Sequence, residues 1–216
     1  NGPATLDAQF EAVSQVAMAD MIVLTKSDLV HGDKHGFETR LRALNMTAPI
    51  VHAIRGEGFA HTLWGLSGLR KGVKQARALR WMTPQPDAPD PLSNLSGLAM
   101  PVPAPAPLSP HDARIGTASI VLDEPLEDKV FDHWLNTLIS LRGEDILRVK
   151  GIVFLKGIDT PFVFHGVQHI FDPPLPIKNW SGEDHNTRIV VIARDLSRPE
   201  LQASLDTLRA QYVPQD

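Results

Sequence analysis

Residues 19–29 read ADMIVLTKSDL, and this stretch decides the first half of the fold. Its apolar run at 21–24 is typical of a short strand that is buried on both faces of a parallel sheet. The elements predicted around it are, in order, a helix over 6–19, a helix over about 34–45, a strand over 49–53 and a helix over about 57–69. Because strands and helices alternate, we expect a parallel α/β segment. Two parallel strands do not stand alone, so this half looks like the tail of a larger α/β domain.

The composition is that of an ordinary globular protein. The chain has 216 residues, of which 43% are hydrophobic and 21% charged, and its net charge of −4 gives no global reason to expect nucleic-acid binding. It contains no cysteine, which excludes disulfides, a thiol nucleophile and cysteine metal ligands within this chain. No apolar run approaches the roughly 20 residues of a membrane span, so no membrane partner is predicted.

A proline-rich stretch divides the chain. Residues 83–110 hold nine of the 18 prolines and no Lys or Arg. Proline lacks a backbone N–H and fixes φ, so this stretch is unsuited to a helix or a central strand. We therefore predict three parts: an α/β segment over 1–82, a linker over 83–111 and an α+β domain over 112–216.

The pattern changes after the linker. A helical stripe of apolar residues runs from Leu126 to Leu141, and Ser197 with Glu200 forms a capping box at the start of the last helix. The extended segments predicted between and before these helices are 119–122, 146–155 with a break at Lys150-Gly151, 161–171 and 189–193. This order, with short connections, indicates an antiparallel sheet with two helices.

The tetrapeptide Thr25-Lys26-Ser27-Asp28 follows the first strand directly. In guanine-nucleotide proteins a loop of the form [N/T]-K-x-D reads the base: the aspartate accepts hydrogen bonds from the ring N–H and the exocyclic amine of guanine, and the lysine stem lies along the ring. Ligands of open α/β sheets bind beyond the carboxyl ends of the strands, which supports this interpretation. The alternative is a polar strand-to-helix turn in which Ser27 or Asp28 only caps a helix.

Several segments together resemble the CobW-type GTPases, which are P-loop metal chaperones related to the nickel-insertion proteins of hydrogenase and urease. Residues 15–28 match the segment Q-x-x-x-A-D-x-I-x-L-T-K-x-D, Arg148-Val149-Lys150-Gly151 matches R-x-K-G, and 165–168 match H-x-V-Q. Trp180 before an acidic loop, Arg188 and the tripeptide at 194–196 also match. These matches occur in the family's order and cover nearly the whole chain outside the linker.

The resemblance implies GTP-dependent delivery of a metal, zinc or cobalt, to a metal-requiring client protein in the cytoplasm. Lys26 and Asp28 would select guanine, Thr25 would order the loop, and the backbone near Ala53 would contact the base. Nucleotide state would reposition the second domain through the linker. The incomplete sheet also predicts self-association, for which a homo-oligomer is the expected form.

The chain departs from the family pattern in one respect. The sequence contains no G-x-x-x-x-G-K-[ST] loop, and the family's G-C-x-C-C metal motif is also absent. We therefore expect these motifs, and the Mg²⁺ site, to lie upstream of Asn1 in a longer protein, and we expect this chain alone not to hydrolyse GTP. The alternative is a non-catalytic protein–protein interaction module built on the second domain.

No histidine pair is predicted to bind a metal. His165 and His169 would lie on one face of a strand, about 13 Å apart, which is too far for two ligands of one ion. His31 and His35 lie in a glycine-containing stretch, which favours a solvated turn. The basic run between Arg70 and Arg80 has no interleaved aromatic stripe, so a solvated face or docking against the acidic second domain is favoured over nucleic acid. Trp180, in a loop, is a candidate contact residue.

Overall fold

Two separate sheets organise the chain in the computed structural model, which describes residues 2–29, 33–54, 75–82, 109–178, 180–181 and 184–210. In the first half the elements are α1 (Gly2–Ala8), α2 (Phe10–Met18), β1 (Ile22–Thr25), α3 (Lys34–Leu44), β2 (Ile50–Ala53) and α4 (Gln75–Met82). Strands β1 and β2 pair in parallel, with Ile22 opposite Ile50 and Thr25 opposite Ala53. The predicted parallel α/β segment is therefore confirmed.

The second half contains β3 (Ile115–Leu122), α5 (Asp128–Arg142), β4 (Ile146–Val153), β5 (Phe162–Val167), β6 (Ile170–Phe171), β7 (Leu175–Pro176), β8 (Thr187–Arg194) and α6 (Arg198–Ala210). The strand order is β3-β8-β4-β5-β6, with β7 beside β5, and all of these pairs are antiparallel. The predicted α+β domain with an antiparallel sheet and two helices is confirmed. None of the helices in the described ranges is long and apolar enough to cross a membrane.

The large sheet is covered on both faces. On one face, side chains of β3, β4 and β8 pack with α5 and α6 in a cluster that includes Trp134, Leu201 and Leu205. On the other face, Ile152, Val190 and Ile192 pack against Ala17 of α2 and against Ala78 and Met82 of α4. The first half of the chain thus supplies one layer of the second sheet, and β4, between two strands and two layers, is buried along its whole length.

The local helix signals act as the sequence predicts. The main-chain N–H and the hydroxyl of Ser197 donate to Glu200 Oε2 over 2.8 and 2.6 Å, and the N–H of Glu200 lies 3.4 Å from Ser197 Oγ, which is the expected capping box at the start of α6. Asp33 caps α3 by accepting from the N–H of Gly36 over 2.8 Å. Trp134 is buried, as its position on the apolar stripe predicts.

Several predicted boundaries are wrong. The helix expected over 6–19 is two helices, because Gln9 adopts an extended conformation between α1 and α2. The break expected at Lys150-Gly151 is absent: β4 is continuous through both residues. The extended run expected over 161–171 is a hairpin that turns at Gln168, whose φ is +55°. The helix expected over 57–69 and most of the predicted linker lie outside the described residues.

Candidate functional site

The four residues predicted to read guanine lie at one edge of the small sheet. Thr25 ends β1, Ala53 ends β2, and the two are direct neighbours in the parallel register. Lys26 and Asp28 follow Thr25, so both lie just beyond the carboxyl ends of the strands. The structure therefore brings Thr25, Lys26, Asp28 and Ala53 together at the edge where open α/β sheets bind ligands.

A tight turn holds the loop after β1. Lys26 has a φ of +56°, a left-handed conformation that non-glycine residues adopt infrequently. Ser27–Leu29 then form one turn of 3₁₀ helix, in which the N–H of Leu29 donates to the carbonyl oxygen of Lys26 over 3.0 Å. Lys26 and Asp28 are both exposed. The loop therefore presents a cation and a carboxylate to solvent two residues apart.

Ala53 and its neighbour His52 differ in environment. Ala53 is buried, with only 1% of the whole residue exposed. The His52 side chain is partly exposed, and its Nε2 lies 3.0 Å from Glu38 Oε1 on α3. A carboxylate of α3 thus holds the imidazole beside the end of β2.

A buried polar network connects the start of β1 to the large sheet. The guanidinium of Arg148, on β4, donates to the carbonyl oxygen of Met18 and to the carboxylate of Asp20. Trp81 Nε1 of α4 donates to the same carboxylate oxygen over 3.2 Å. Lys150 Nζ donates to the carbonyl oxygen of Trp81 over 3.0 Å and lies 4.8 Å from the centre of its ring. Asp20 is five residues before Thr25, so this network anchors the strand that leads into the loop.

Burial governs the electrostatics of these two cations. Arg148 and Lys150 are each 1% exposed. Burial lowers the pKa of Arg148, and the nearby Asp20 carboxylate opposes that shift. Burial, followed by the positive charge of Arg148, lowers the pKa of Lys150 to about 7, again against the effect of Asp20. The interface between the two halves therefore contains a lysine that titrates near neutral pH.

Asn45 fixes the chain on the other side of β1. Its Nδ2 donates to the carbonyl oxygens of Val16, Ala17 and Ala19 over 2.9 to 3.1 Å. Its Oδ1 accepts from the N–H of Ala48 over 3.1 Å and from Thr47. A single buried amide thus satisfies the carbonyls at the end of α2 and the turn after α3, which together set the entry into β1.

The prediction that His165 and His169 lie on one face of a strand is wrong. His165 lies on β5, where its Nε2 is 2.7 Å from Asp172 Oδ2, whereas His169 lies in the turn that follows and is exposed. The two do not share the face of one straight strand, because the chain reverses at Gln168. In the described part of the chain no three His, Asp or Glu side chains form a group that could hold a metal ion. His31 and residues 70–74 of the basic run lie outside the described residues.

Trp180 is a packing residue as well as a loop residue. Its ring meets Phe154 edge-on at 5.3 Å between centroids, and its Nε1 donates to the carbonyl oxygen of Asp184 over 2.9 Å. Arg188 reaches the same loop through two bonds to the Asp184 carboxylate, of 2.8 and 3.1 Å. Trp180 therefore fixes the acidic loop against the sheet and is partly buried.

The chain is similar to proteins of known structure and to a known family domain. Residues 115–209 match the cobalamin synthesis protein cobW C-terminal domain. The chain is 24% identical over 200 residues to the zinc chaperone YjiA of Escherichia coli K12, an alignment that covers 92% of this chain and 54% of that protein. Crystal structures of the Zn(II)-bound YjiA GTPase from E. coli, and of a triple mutant of it, superpose with a TM-score of 0.69 at 21% identity, covering 96% of this chain and 57% of theirs.

The fold is therefore that of the YjiA GTPase, over about half the length of that relative. Residues 115–209 match the CobW C-terminal domain, and the chain as a whole is similar to a CobW-like protein, the zinc chaperone YjiA. The sequence resemblance includes Asp20, Arg148 and Lys150 as matches to family motifs, but it does not predict that Arg148 bonds to Asp20 or that Lys150 bonds to Trp81. An arginine and a lysine at alternate positions of an apolar strand are nevertheless a signal that buried charges need partners.

Proposed function

We propose that this chain is the base-reading and client-facing part of a GTP-dependent metal chaperone, in which Lys26 and Asp28 select guanine. The single observation that carries this proposal is the position of the exposed Lys26 and Asp28 beyond β1, beside Ala53 of β2. An exposed carboxylate there accepts two hydrogen bonds from guanine, a pattern that adenine does not offer. The Lys26 stem lies along the ring, Thr25 orders the loop, and the backbone near Ala53, at the end of β2, contacts the base.

The residues of this chain fit the base but not the phosphates. No G-x-x-x-x-G-K-[ST] segment is present in the sequence, so the triphosphate and its Mg²⁺ would be held by other parts of a longer protein. We accordingly propose that residues 1–82 complete a GTPase domain, that 83–111 link it to a domain over 112–216, and that this chain alone does not hydrolyse GTP. The cargo is zinc or cobalt, bound upstream and delivered to a cytoplasmic client.

The buried network gives this proposal a route from nucleotide to client. Asp20 is joined by β1 to the base-reading loop and by Arg148 to the centre of the large sheet. A shift of β1 on GTP hydrolysis would alter the contact of α2 and α4 with that sheet, and thereby the second domain's surface. Equal client affinity in the GTP and GDP states would contradict this coupling.

The test uses Asp28→Asn in the natural gene product that contains this chain. An amide at position 28 can still accept from the ring N–H, but its NH₂ group meets the exocyclic amine of guanine, donor against donor, whereas it donates to the extra carbonyl of xanthine. We expect GDP affinity to fall on the order of a hundredfold and XDP affinity to rise, both measured with fluorescent nucleotides. Asp132→Asn on the exposed face of α5 is the control. If Asp28→Asn weakens GDP and XDP equally, or changes neither, the loop does not read the base.

A further inference from the structure

Strand β3 forms an edge of the large sheet. It pairs with β8 from Ile115 opposite Arg194 to Leu122 opposite Thr187, and no other strand in the described ranges pairs with it. The opposite edge is different, since β5 is flanked by the short strands β6 and β7. An edge of eight residues is longer than proteins usually leave open, because unpaired backbone groups invite another strand.

The ladder shows which backbone groups of β3 point outward. The N–H of Asp195 donates to the carbonyl oxygen of Arg114 over 2.7 Å, so the groups of Arg114 face β8. In an antiparallel pair this direction alternates, so the even-numbered residues of β3 bond to β8. The N–H and carbonyl groups of Ile115, Thr117, Ser119 and Val121 therefore face away from β8. Arg209 supports this assignment, because its Nη2 lies 3.4 Å from the outward carbonyl oxygen of Val121.

A groove of about 650 Å³ runs along this edge. One wall is the end of α3, and the other is the turn between β8 and α6. Strand residues 115–119 form its floor. The residues that line its walls include Arg42, Ala43, Met46, Asp195 and Arg198. The groove is therefore long enough and open enough at the backbone to accept an extended chain.

The charges on the walls are predominantly positive. Arg42, Arg114 and Arg198 line the groove, and Asp195 is the only acidic residue among the lining residues. Arg114 bonds to Asp195, with 2.7 Å between its Nε and Oδ1, whereas Arg198 makes no ion pair with a described residue. An incoming segment with carboxylates would thus meet the positive charge of Arg198.

One buried polar atom also lacks a partner here. Thr117 Oγ1 is buried, lines the groove and makes no hydrogen bond among the described residues. A buried hydroxyl without a hydrogen bond is costly, and most buried polar groups in native proteins have a partner. An occupant that brings a polar side chain to this face of β3 would supply the missing partner.

From these observations we infer that the outer edge of β3 is a docking site for an extended acidic segment of a partner protein, which binds as an added strand. The outward backbone groups of Thr117 and Ser119 supply the hydrogen bonds, as in other cases of strand addition, because the Ile115 N–H already donates to Asp112 and the Val121 carbonyl oxygen already accepts from Arg209. Arg198 selects a carboxylate of the segment. Strand addition does not require the loop at Thr25–Asp28 to bind a base, so this inference and the proposed function can fail separately.

The test measures binding of a labelled nine-residue peptide of alternating Val and Glu, with blocked termini, by fluorescence anisotropy. Ser119→Pro removes one outward N–H and leaves the β8 ladder intact, because proline is tolerated at edge positions that do not donate. We expect it to weaken peptide binding about tenfold or more, whereas Ser119→Ala, which keeps the N–H, leaves binding unchanged.

A charge variant makes the test independent of any folding defect in Ser119→Pro. Arg198→Glu should weaken the Val-Glu peptide and strengthen a Val-Lys peptide of the same length, because it reverses one wall of the groove. Equal binding of both peptides to the unmodified chain, or no effect of either variant, would overturn the inference. So would a dimer in sedimentation that Ser119→Pro dissociates, because the occupant would then be a second copy of the chain.

Discussion

At position 151 the packing leaves no room for a side chain. A Cβ on Gly151 would lie 2.4 Å from Cε1 of Phe164 and 2.9 Å from the carbonyl oxygen of Arg188. Phe164 has little freedom to move, since it packs edge-on against Phe131 at 5.0 Å. We predict that Gly151→Ala destabilises the fold by about 1 to 3 kcal/mol, measured by urea unfolding.

A second substitution separates this steric cost from other effects. If Phe164 is the obstacle, Phe164→Leu should cost less in the Gly151→Ala background than in the unmodified chain. Gly157 is the matched comparison, because a Cβ there meets nothing within 4 Å and its φ of +76° makes any cost a backbone one. Phe164→Leu should not change the cost of Gly157→Ala. Additive effects at 151 and 164 would show that packing does not explain this glycine.

At the scale of single elements, β4 depends on partners from far away in the sequence. Arg148 is 1% exposed and Asp20 is 42% exposed at the side chain. Removing Asp20 leaves a buried cation without its counter-ion, whereas removing Arg148 leaves a carboxylate that water can reach. We therefore predict that Asp20→Ala costs about 3 kcal/mol or more in urea unfolding and that Arg148→Met costs less.

An exposed arginine–aspartate pair is the control for this difference between Asp20→Ala and Arg148→Met. Arg148 Nε is buried without a hydrogen bond, so Arg148→Met also removes an unsatisfied donor. Arg114 and Asp195 also form an arginine–aspartate pair, but both side chains are nearly half exposed. Substituting either of those should change stability little and to a similar extent. Equal costs for Asp20→Ala and Arg148→Met would mean that burial of the cation is not what the network balances.

Local patterns predicted the elements better than their contacts. The amphipathic helix over 34–45 and the capping box at Ser197 were accessible from sequence, because their signals lie within one or two turns. The continuity of β4 was not, since Lys150 is held by Trp81, 69 residues away, and Arg148 by Asp20, 128 residues away. The turn at Gln168 was missed because its left-handed residue is neither glycine nor asparagine.

At the scale of the whole molecule, the large sheet is a middle layer. Helices α5 and α6 cover one face, and α2 and α4 of the first half cover the other. Arg40 of α3 forms ion pairs with both halves of the chain. Its guanidinium lies 2.6 Å from Asp112 and 2.8 Å from Asp7. Lys150 lies at the contact between the sheet and this second layer, where its Nζ donates to the carbonyl oxygen of Trp81 on α4.

This position makes the stability of the molecule depend on pH. Lys150, with a pKa of about 7, releases its proton in the folded state above neutrality, whereas the unfolded chain keeps it up to the ordinary lysine pKa of 10.5. Between these values the unfolded state binds more protons, so the free energy of unfolding rises with pH, by at most about 1.4 kcal/mol per pH unit from this group. Urea unfolding at pH 6 to 9 should show this rise. It should disappear in Lys150→Met and persist in Lys129→Met, whose lysine is exposed on α5; a slope that survives Lys150→Met would assign the effect to another group.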